Sequence, residues 1–367
     1  MRANDCTLFL CGDVMTGRGI DQILPHSSSP ELQEPRVGSA LAYVDLAERA
    51  HGALPRRVDF SYVWGEALAC LDERRPVARI INLETSITTS AVPEPKWINY
   101  RMHPGNAPVL TAARIDCCVL ANNHVLDWGV AGLLETVDVL RGEGINTVGA
   151  GGDAAEAEAP AVLMRDGAPR VLVFAFGATD SGIARQWGAR ADRPGVNLLD
   201  DLSERTVARI AQLVESTRLP NDLAVASIHW GGNWGYEIPS AHRRFAHALI
   251  DRAGVNVIHG HSSHHPKAIE VYQNRPIFYG CGDFLDDYEG ISGYEEFRDD
   301  LVLMYFPTLD FVTGDLVELA MTPLQIRNFR LQRPPAADRA WLHARLEAQC
   351  RRFGHGIGTQ DDDWILQ

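Results

Sequence analysis

No stretch of this chain is apolar for long enough to cross a membrane as a helix, which takes about 20 apolar residues in succession. A basic block is missing too: 34 Lys and Arg stand against 48 Asp and Glu, a formal charge of -14. A nucleic-acid partner, whose phosphates need clustered cations, is therefore not expected, and neither is docking on anionic lipid. Cysteine is sparse and scattered. Cys6, Cys11, Cys70, Cys117, Cys118, Cys281 and Cys350 show no C-x-x-C spacing, and their number is odd. A zinc ribbon or a disulfide framework is therefore not expected, and buried free thiols in a reducing compartment are the better account. The apolar run before Gly12-Asp13 is too short for a signal peptide. The chain reads as cytoplasmic, with no membrane anchor.

What is present is the alternation of an α/β protein. Short apolar runs predict strands at 7–11, 79–83, 117–120, 146–148, 171–176, 223–228, 255–258, 276–279, 301–306 and 316–321. Amphipathic stretches predict helices at 40–50, 130–141, 203–216 and 241–252. The stretch 117–148 reads as a βαβ unit, with Gly142 and Gly144 available to stop its helix. From 276 to 321 the strands follow one another without a long helical pattern, which predicts antiparallel pairing and hence mixed sheets. The simplest organisation is one domain over 1–330, with an insertion near 25–64. A C-terminal helical tail over 331–367 packs on it, amphipathic near 341–350.

The chemistry gathers after the apolar runs. His259-Gly260-His261-Ser262-Ser263-His264-His265 places four histidines in seven residues, directly behind a strand-like segment. Imidazole is a common ligand for divalent transition metals, and a Gly-flanked turn lets ring nitrogens converge. Polar residues also follow strand-like runs at Gly12-Asp13, Asn82-Leu83-Glu84, Asn122-Asn123-His124 and His229-Trp230-Gly231, where open α/β sheets place their sites. Carboxylate, amide oxygen and imidazole together suit Mn, Fe or Zn better than a thiolate site would. Asp127, three residues after His124, either orients that ring or caps the following helix. His265 is a further candidate for proton transfer. Tyr100 and Arg101, in a segment mixing aromatics with cations, and Trp230 are candidates to line a substrate cleft. Asp283 is placed to support a ligand histidine.

These residues carry a resemblance. Gly12-Asp13-Val14-Met15-Thr16-Gly17-Arg18, Asn82-Leu83-Glu84, Ala121-Asn122-Asn123-His124-Val125-Leu126-Asp127-Trp128-Gly129, His229-Trp230-Gly231 and Gly260-His261-Ser262-Ser263-His264 resemble the CapA family of poly-γ-glutamate capsule synthesis proteins, a branch of the calcineurin-like metallophosphoesterases. The resemblance implies a β-sandwich flanked by helices, two facing mixed sheets with metals at the strand ends. It implies that Asp13, Glu84, Asn123, His229, His261 and His264 bind metal, that His124 transfers a proton, and that Arg18 belongs to the catalytic set. The pattern departs from the phosphoesterases at two points. Met15 stands where they carry a histidine ligand, and thioether is a poor ligand for a hard divalent ion. Glu84 stands where they carry Asp.

One firm metal site and one weak one are therefore expected, the ion being Mn, Fe, Zn, Ca or Mg. The implied function is a metal-dependent enzyme acting on a peptide or polyglutamate-like polymer. Peptide epimerase, phosphoesterase and non-catalytic accessory protein are the alternatives.

Overall fold

The computed structural model describes residues 4–367. The chain lays down half of one sheet, builds a second, and returns to complete the first. β1 (Asp5–Val14), β2 (Ala78–Leu83), β3 (Cys117–Val119) and β4 (Asn146–Val148) are parallel neighbours in that order. The βαβ unit at 117–148 is formed as the sequence predicts, with its helix at Gly129–Gly142.

The second sheet uses β5 (Ala161–Leu163), β6 (Val171–Gly177), β7 (Leu223–His229), β8 (Val257–His261), β9 (Ile269–Tyr272) and β10 (Arg275–Phe278). Their spatial order is β9-β10-β8-β7-β6-β5, with antiparallel strands only at the two edges. β11 (Asp283–Leu285) then runs parallel to β1. β12 (Leu301–Asp310) and β13 (Leu316–Ile326) continue the first sheet antiparallel on the other side of β1.

Strand alternation explains the layers. In β1, Leu8 and Leu10 face the second sheet and pack with Val173, Val225, Val257 and Phe278, while Phe9 and Cys11 face the opposite way. The outer face of the second sheet, with Phe174, Ala226 and Ile258, is covered by helices Glu204–Thr217 and Ser240–Ala253 through Ile210, Val214, Phe245 and Leu249. Burying each such side chain stabilises by roughly 1.5–3 kcal/mol. The result is two facing mixed sheets flanked by helices, the fold class that the resemblance implied. Parallel strands in both sheets deliver their C-terminal ends to a common edge.

The tail is more than the expected helix. Helix Ala336–Arg351 contributes Leu342, Leu346 and Cys350 to the inter-sheet core. It is followed by a hairpin, β14 (Ile357–Gln360) and β15 (Asp363–Leu366), and β15 pairs with the edge of β13. Both strands are four residues long and flank an acidic turn, a pattern too short for periodicity to reveal. All seven cysteines are free and buried. Among the described residues no helix is long and apolar enough to cross a membrane.

Candidate functional site

A bulge in β1 creates the site. Strict alternation from Leu10 would send Asp13 to the outer face and Val14 to the inner one. The register of β1 shifts between Leu10 and Asp13 against β2, so Val14 joins the outer core and Asp13 turns toward the second sheet. Gly12 lies so close to the neighbouring chain that a Cβ there would stand 1.7 Å from the Gly282 carbonyl oxygen. Asn82 in β2 shares the inward face with Ile80, with no bulge needed, and Glu84 follows directly after the strand. β7 and β8 pair in register, setting His229 beside His261 and Ser227 beside His259.

Asp13, His229 and His261 are all buried, and one donor atom of each lies within 4.8 Å of the others. Two ligands of one ion stand up to about 4.4 Å apart, twice a bond of about 2.2 Å, so the trio closes on an ion with shifts of a few tenths of an ångström. The Nδ1 atoms of His229 and His261 face each other at 2.8 Å. His229 Nε2 lies 3.1 Å from Asn123 Oδ1 and 3.8 Å from Glu84 Oε1. Asn82 Nδ2 donates to Asp13 Oδ1 at 2.8 Å, and the Ser262 N–H donates to Asp13 Oδ2 at 3.2 Å. Ser262 holds φ 101, a strained conformation for a non-glycine residue. Ser227 Oγ lies 2.9 Å from His261 Nε2, and His259 backs Ser227 from the interior. These residues therefore fit a single divalent ion with oxygen and imidazole donors.

His124 lies beside this centre and is oriented from its far side. Its Nδ1 is 2.6 Å from Asp127 Oδ2, its Nε2 is 3.9 Å from Glu84 Oε1, and its ring stacks on Tyr100 at 3.8 Å. Asp127 thus orients the ring and does not cap the helix, whose N-cap Trp128 makes no side-chain cap bond. Lys96 donates to Asp127 Oδ1 and to the Asn123 carbonyl, at 2.6 Å each. It lies in a loop with no periodic or motif signal, and the sequence reading missed it. Asn82 and Asn122 were passed over as supporting residues. Asn122 donates to Asn82 Oδ1 and to the Leu83 carbonyl, and its own Oδ1 accepts from the N–H groups of His124 and Val125.

The site is electrostatically unfinished. Burial pushes the Asp13 carboxyl up to about 6, against the opposing hydrogen bond from Asn82. Burial and then the Asp13 charge hold Glu84 and Asp283 well above the carboxylate range. Burial, reinforced by neighbouring histidines, drives His229 and His261 well below the ordinary imidazole value. The carboxyls favour a proton and the imidazoles refuse one. A bound cation reverses the first tendency and uses the second.

A cleft of about 490 Å³ adjoins the centre, whose Asp13, His229 and His261 stay buried behind its wall. Tyr100, Asn123, His124, Glu84, His264 and Arg18 line it, together with Lys96, Trp97 and Trp234. His264 is turned to Asp283, its Nδ1 3.0 Å from both carboxylate oxygens, and its Nε2 meets the Asn233 side chain at 2.8 Å. Asp283 thus holds the His264 ring in place. Arg18 spends its guanidinium on Asp287 and Glu34 while lying 4.7 Å from the Tyr100 ring centre.

Three expected residues are elsewhere. His265 is fully buried among Tyr236, Phe297 and Trp234, because consecutive residues leave the turn in opposite directions. Trp230 follows His229 by one residue, so alternation sends it outward, where it stacks on His242 and donates to the Tyr279 carbonyl. Arg101 lies over Trp128 and donates to the Ser90 and Ser29 carbonyls, outside the cleft. Met15, at the departure from the phosphoesterase pattern, is buried, with its N–H on the Leu285 carbonyl.

Fold and site define a two-sheet α/β protein with a carboxylate–histidine centre at the strand ends. The model of the bacterial capsule synthesis protein family PGA_cap matches residues 7–288, and the chain belongs to that family. A probable polyglutamine synthesis accessory protein of Mycobacterium tuberculosis is 48% identical over 361 residues, 98% of this chain and 95% of the relative. The PGA biosynthesis protein CapA of Bacillus subtilis is 28% identical over 57% of this chain and 52% of its own length. Among solved structures, one described as a novel phosphatase from Mycoplasma pneumoniae superposes with a TM-score of 0.49 at 10% identity, covering 90% of this chain and 95% of that one.

Proposed function

We propose that this protein is a metal-dependent enzyme acting on a peptide or acidic polypeptide in the synthesis of a polyglutamate-like polymer. The observation that carries the reading is the convergence of Asp13, His229 and His261 on one point beside the oriented ring of His124. Asp13, His229, His261 and Asn123 would hold the ion, with Glu84 and His264 on the side of a second, weaker position. A bound divalent ion would supply Lewis-acid polarisation of a substrate carbonyl. His124 moves the proton. Its Nδ1–H is engaged by an acceptor-only carboxylate, which leaves Nε2 free to accept. Burial lowers its pKa to about 4, so the ring is neutral at pH 7 and works first as a base. Asp127 steadies the imidazolium that forms, and Lys96 holds Asp127.

The same base serves two reactions: activation of water for hydrolysis, or removal and return of a Cα proton in epimerisation. The volume and aromatic lining of the cleft favour a chain over a compact phosphate ester, and Met15 weighs against a two-ion phosphoesterase. The 48% identical relative is called an accessory protein, which favours a non-catalytic role as the second reading. The seven free thiols support a reducing, cytoplasmic setting.

The test incubates metal-loaded protein with γ-glutamyl oligomers in heavy water. Shortened chains identify a hydrolase and deuterium at Cα an epimerase; neither product, with metal bound, would leave the accessory role. Metal content by mass spectrometry should collapse in His229→Ala and fall less in His264→Ala, whose ring is held by Asp283 and Asn233. Unchanged metal in His229→Ala would remove the ligand assignment.

A further inference from the structure

A second cavity of about 200 Å³ adjoins the cleft and shares Tyr288, Ile291, Tyr294 and Asp299 with it. Its wall is rich in carboxylates, and most of them are already matched. His51 lies 2.6 Å from Glu289, which also accepts from the N–H groups of Asn328 and Phe329. Arg298 is bound to Asp300 and Asp338. Asp286 and Asp299 are left over. Asp286 is 3% exposed; its Oδ1 accepts from the Tyr288 N–H, and its Oδ2 has no hydrogen-bond partner among the described residues. The Asp299 carboxylate accepts from backbone N–H groups, its own and that of Asp300, and its nearest cationic influence is the His264 ring across the cleft, which burial keeps from carrying a full charge. Glu295, at the exposed rim, adds a further negative charge.

A bare carboxylate oxygen inside a protein is costly and calls for a cationic partner. Two free carboxylates are too few for a hard divalent ion, which takes six or more oxygens. The remaining walls are tyrosine and isoleucine. An ammonium group on a carbon stem matches this composition: three N–H donors for the carboxylates, a charge that the tyrosine faces attract, and methylenes for the apolar wall.

We propose that this annex binds a protonated primary amine, the free amino end of the peptide chain whose body lies in the adjoining cleft. The proposal rests on the reading of the cleft as a peptide site and assigns that peptide an end. A chain bound so is engaged from its amino terminus, and internal segments of a long polymer are excluded from the annex.

The experiment titrates full-length protein by calorimetry with γ-linked tetraglutamate, either bearing a free α-amino group or N-acetylated, and with n-butylammonium chloride. The free amine should bind at least about ten-fold more tightly than the acetylated form, the worth of one charge-assisted hydrogen bond. Asp286→Asn and Asp299→Asn should each erase that preference. Equal binding of the two oligomers, or a preference surviving in both variants, would overturn the annex while leaving the cleft reading intact. If neither oligomer binds, the cleft reading fails and n-butylammonium decides: binding weakened by Asp299→Asn keeps the annex, and no binding ends it. A manganese stoichiometry that drops by one in Asp286→Asn would also overturn it, as a metal site. Should Asp286→Asn not fold, Asp299→Asn carries the comparison.

Discussion

His124 shows how one side chain acquires a role from its surroundings. An exposed histidine titrates near 6.5; buried between Tyr100, Asp127 and Glu84 this one is neutral at pH 7, with one nitrogen committed and the other free. His124→Ala should therefore keep its metal and lose about 10²- to 10⁴-fold in turnover of whichever γ-glutamyl oligomer the native protein processes. Steady-state kinetics alongside metal analysis checks this. Near-native turnover would make the residue structural. The resemblance pointed to His124 because its motif is local, Asn-Asn-His-x-x-Asp, and lies within one loop. Lys96 bonds to the same Asp127 from 31 residues away in sequence, and no local pattern announces it.

At the scale of the element, the bulge in β1 matters most. It reverses which face the end of the strand presents, and without it Asp13 would point into the helical layer. Gly12→Ala forces a Cβ into the Gly282 carbonyl and should destabilise by about 1–3 kcal/mol or more. Metal affinity should fall with it, because Asp13 is the next residue. Denaturant unfolding and a metal titration would measure both, and a variant as stable as the parent would show that the two strands separate cheaply.

The tail makes a comparable case. We propose that residues 331–367 fold as one unit with the rest, because β15 pairs with β13 and Leu342, Leu346 and Trp364 enter the inter-sheet core. Deleting them should leave an aggregating or unstable protein. A truncated chain with an unchanged melting temperature would make the tail an independent appendage.

For the whole molecule, the centre couples protons to stability, and a metal bound there would join that coupling. The Asp13 carboxyl, ordinarily near 3.8, is pushed up to about 6 in the folded protein by burial. Between those values the folded state binds more protons than the unfolded one, so this group's contribution makes the metal-free protein less stable as pH rises from about 4 to 6. A bound divalent cation would take the place of the proton. The rise in melting temperature on adding manganese should therefore be larger at pH 7.5 than at pH 5, readable by calorimetry. An equal or smaller rise at pH 7.5 would show that no proton leaves when metal binds.

The sequence by itself determined the alternation of strands and helices, the free thiols, and the set of strand ends where polar residues gather. All of these follow from local periodicity and composition. Even the outward turn of Trp230 was implicit in its position next to His229. Only the tertiary structure decided which polar residues meet. The in-register pairing of β7 with β8 sets His229 against His261, a one-residue bulge brings Asp13 to them, and packing in the turn divides His264 from His265. Those choices depend on register and on contacts between residues from 19 to 249 positions apart. A one-residue slip inverts a strand's faces without altering its hydrophobic pattern enough to be read in advance.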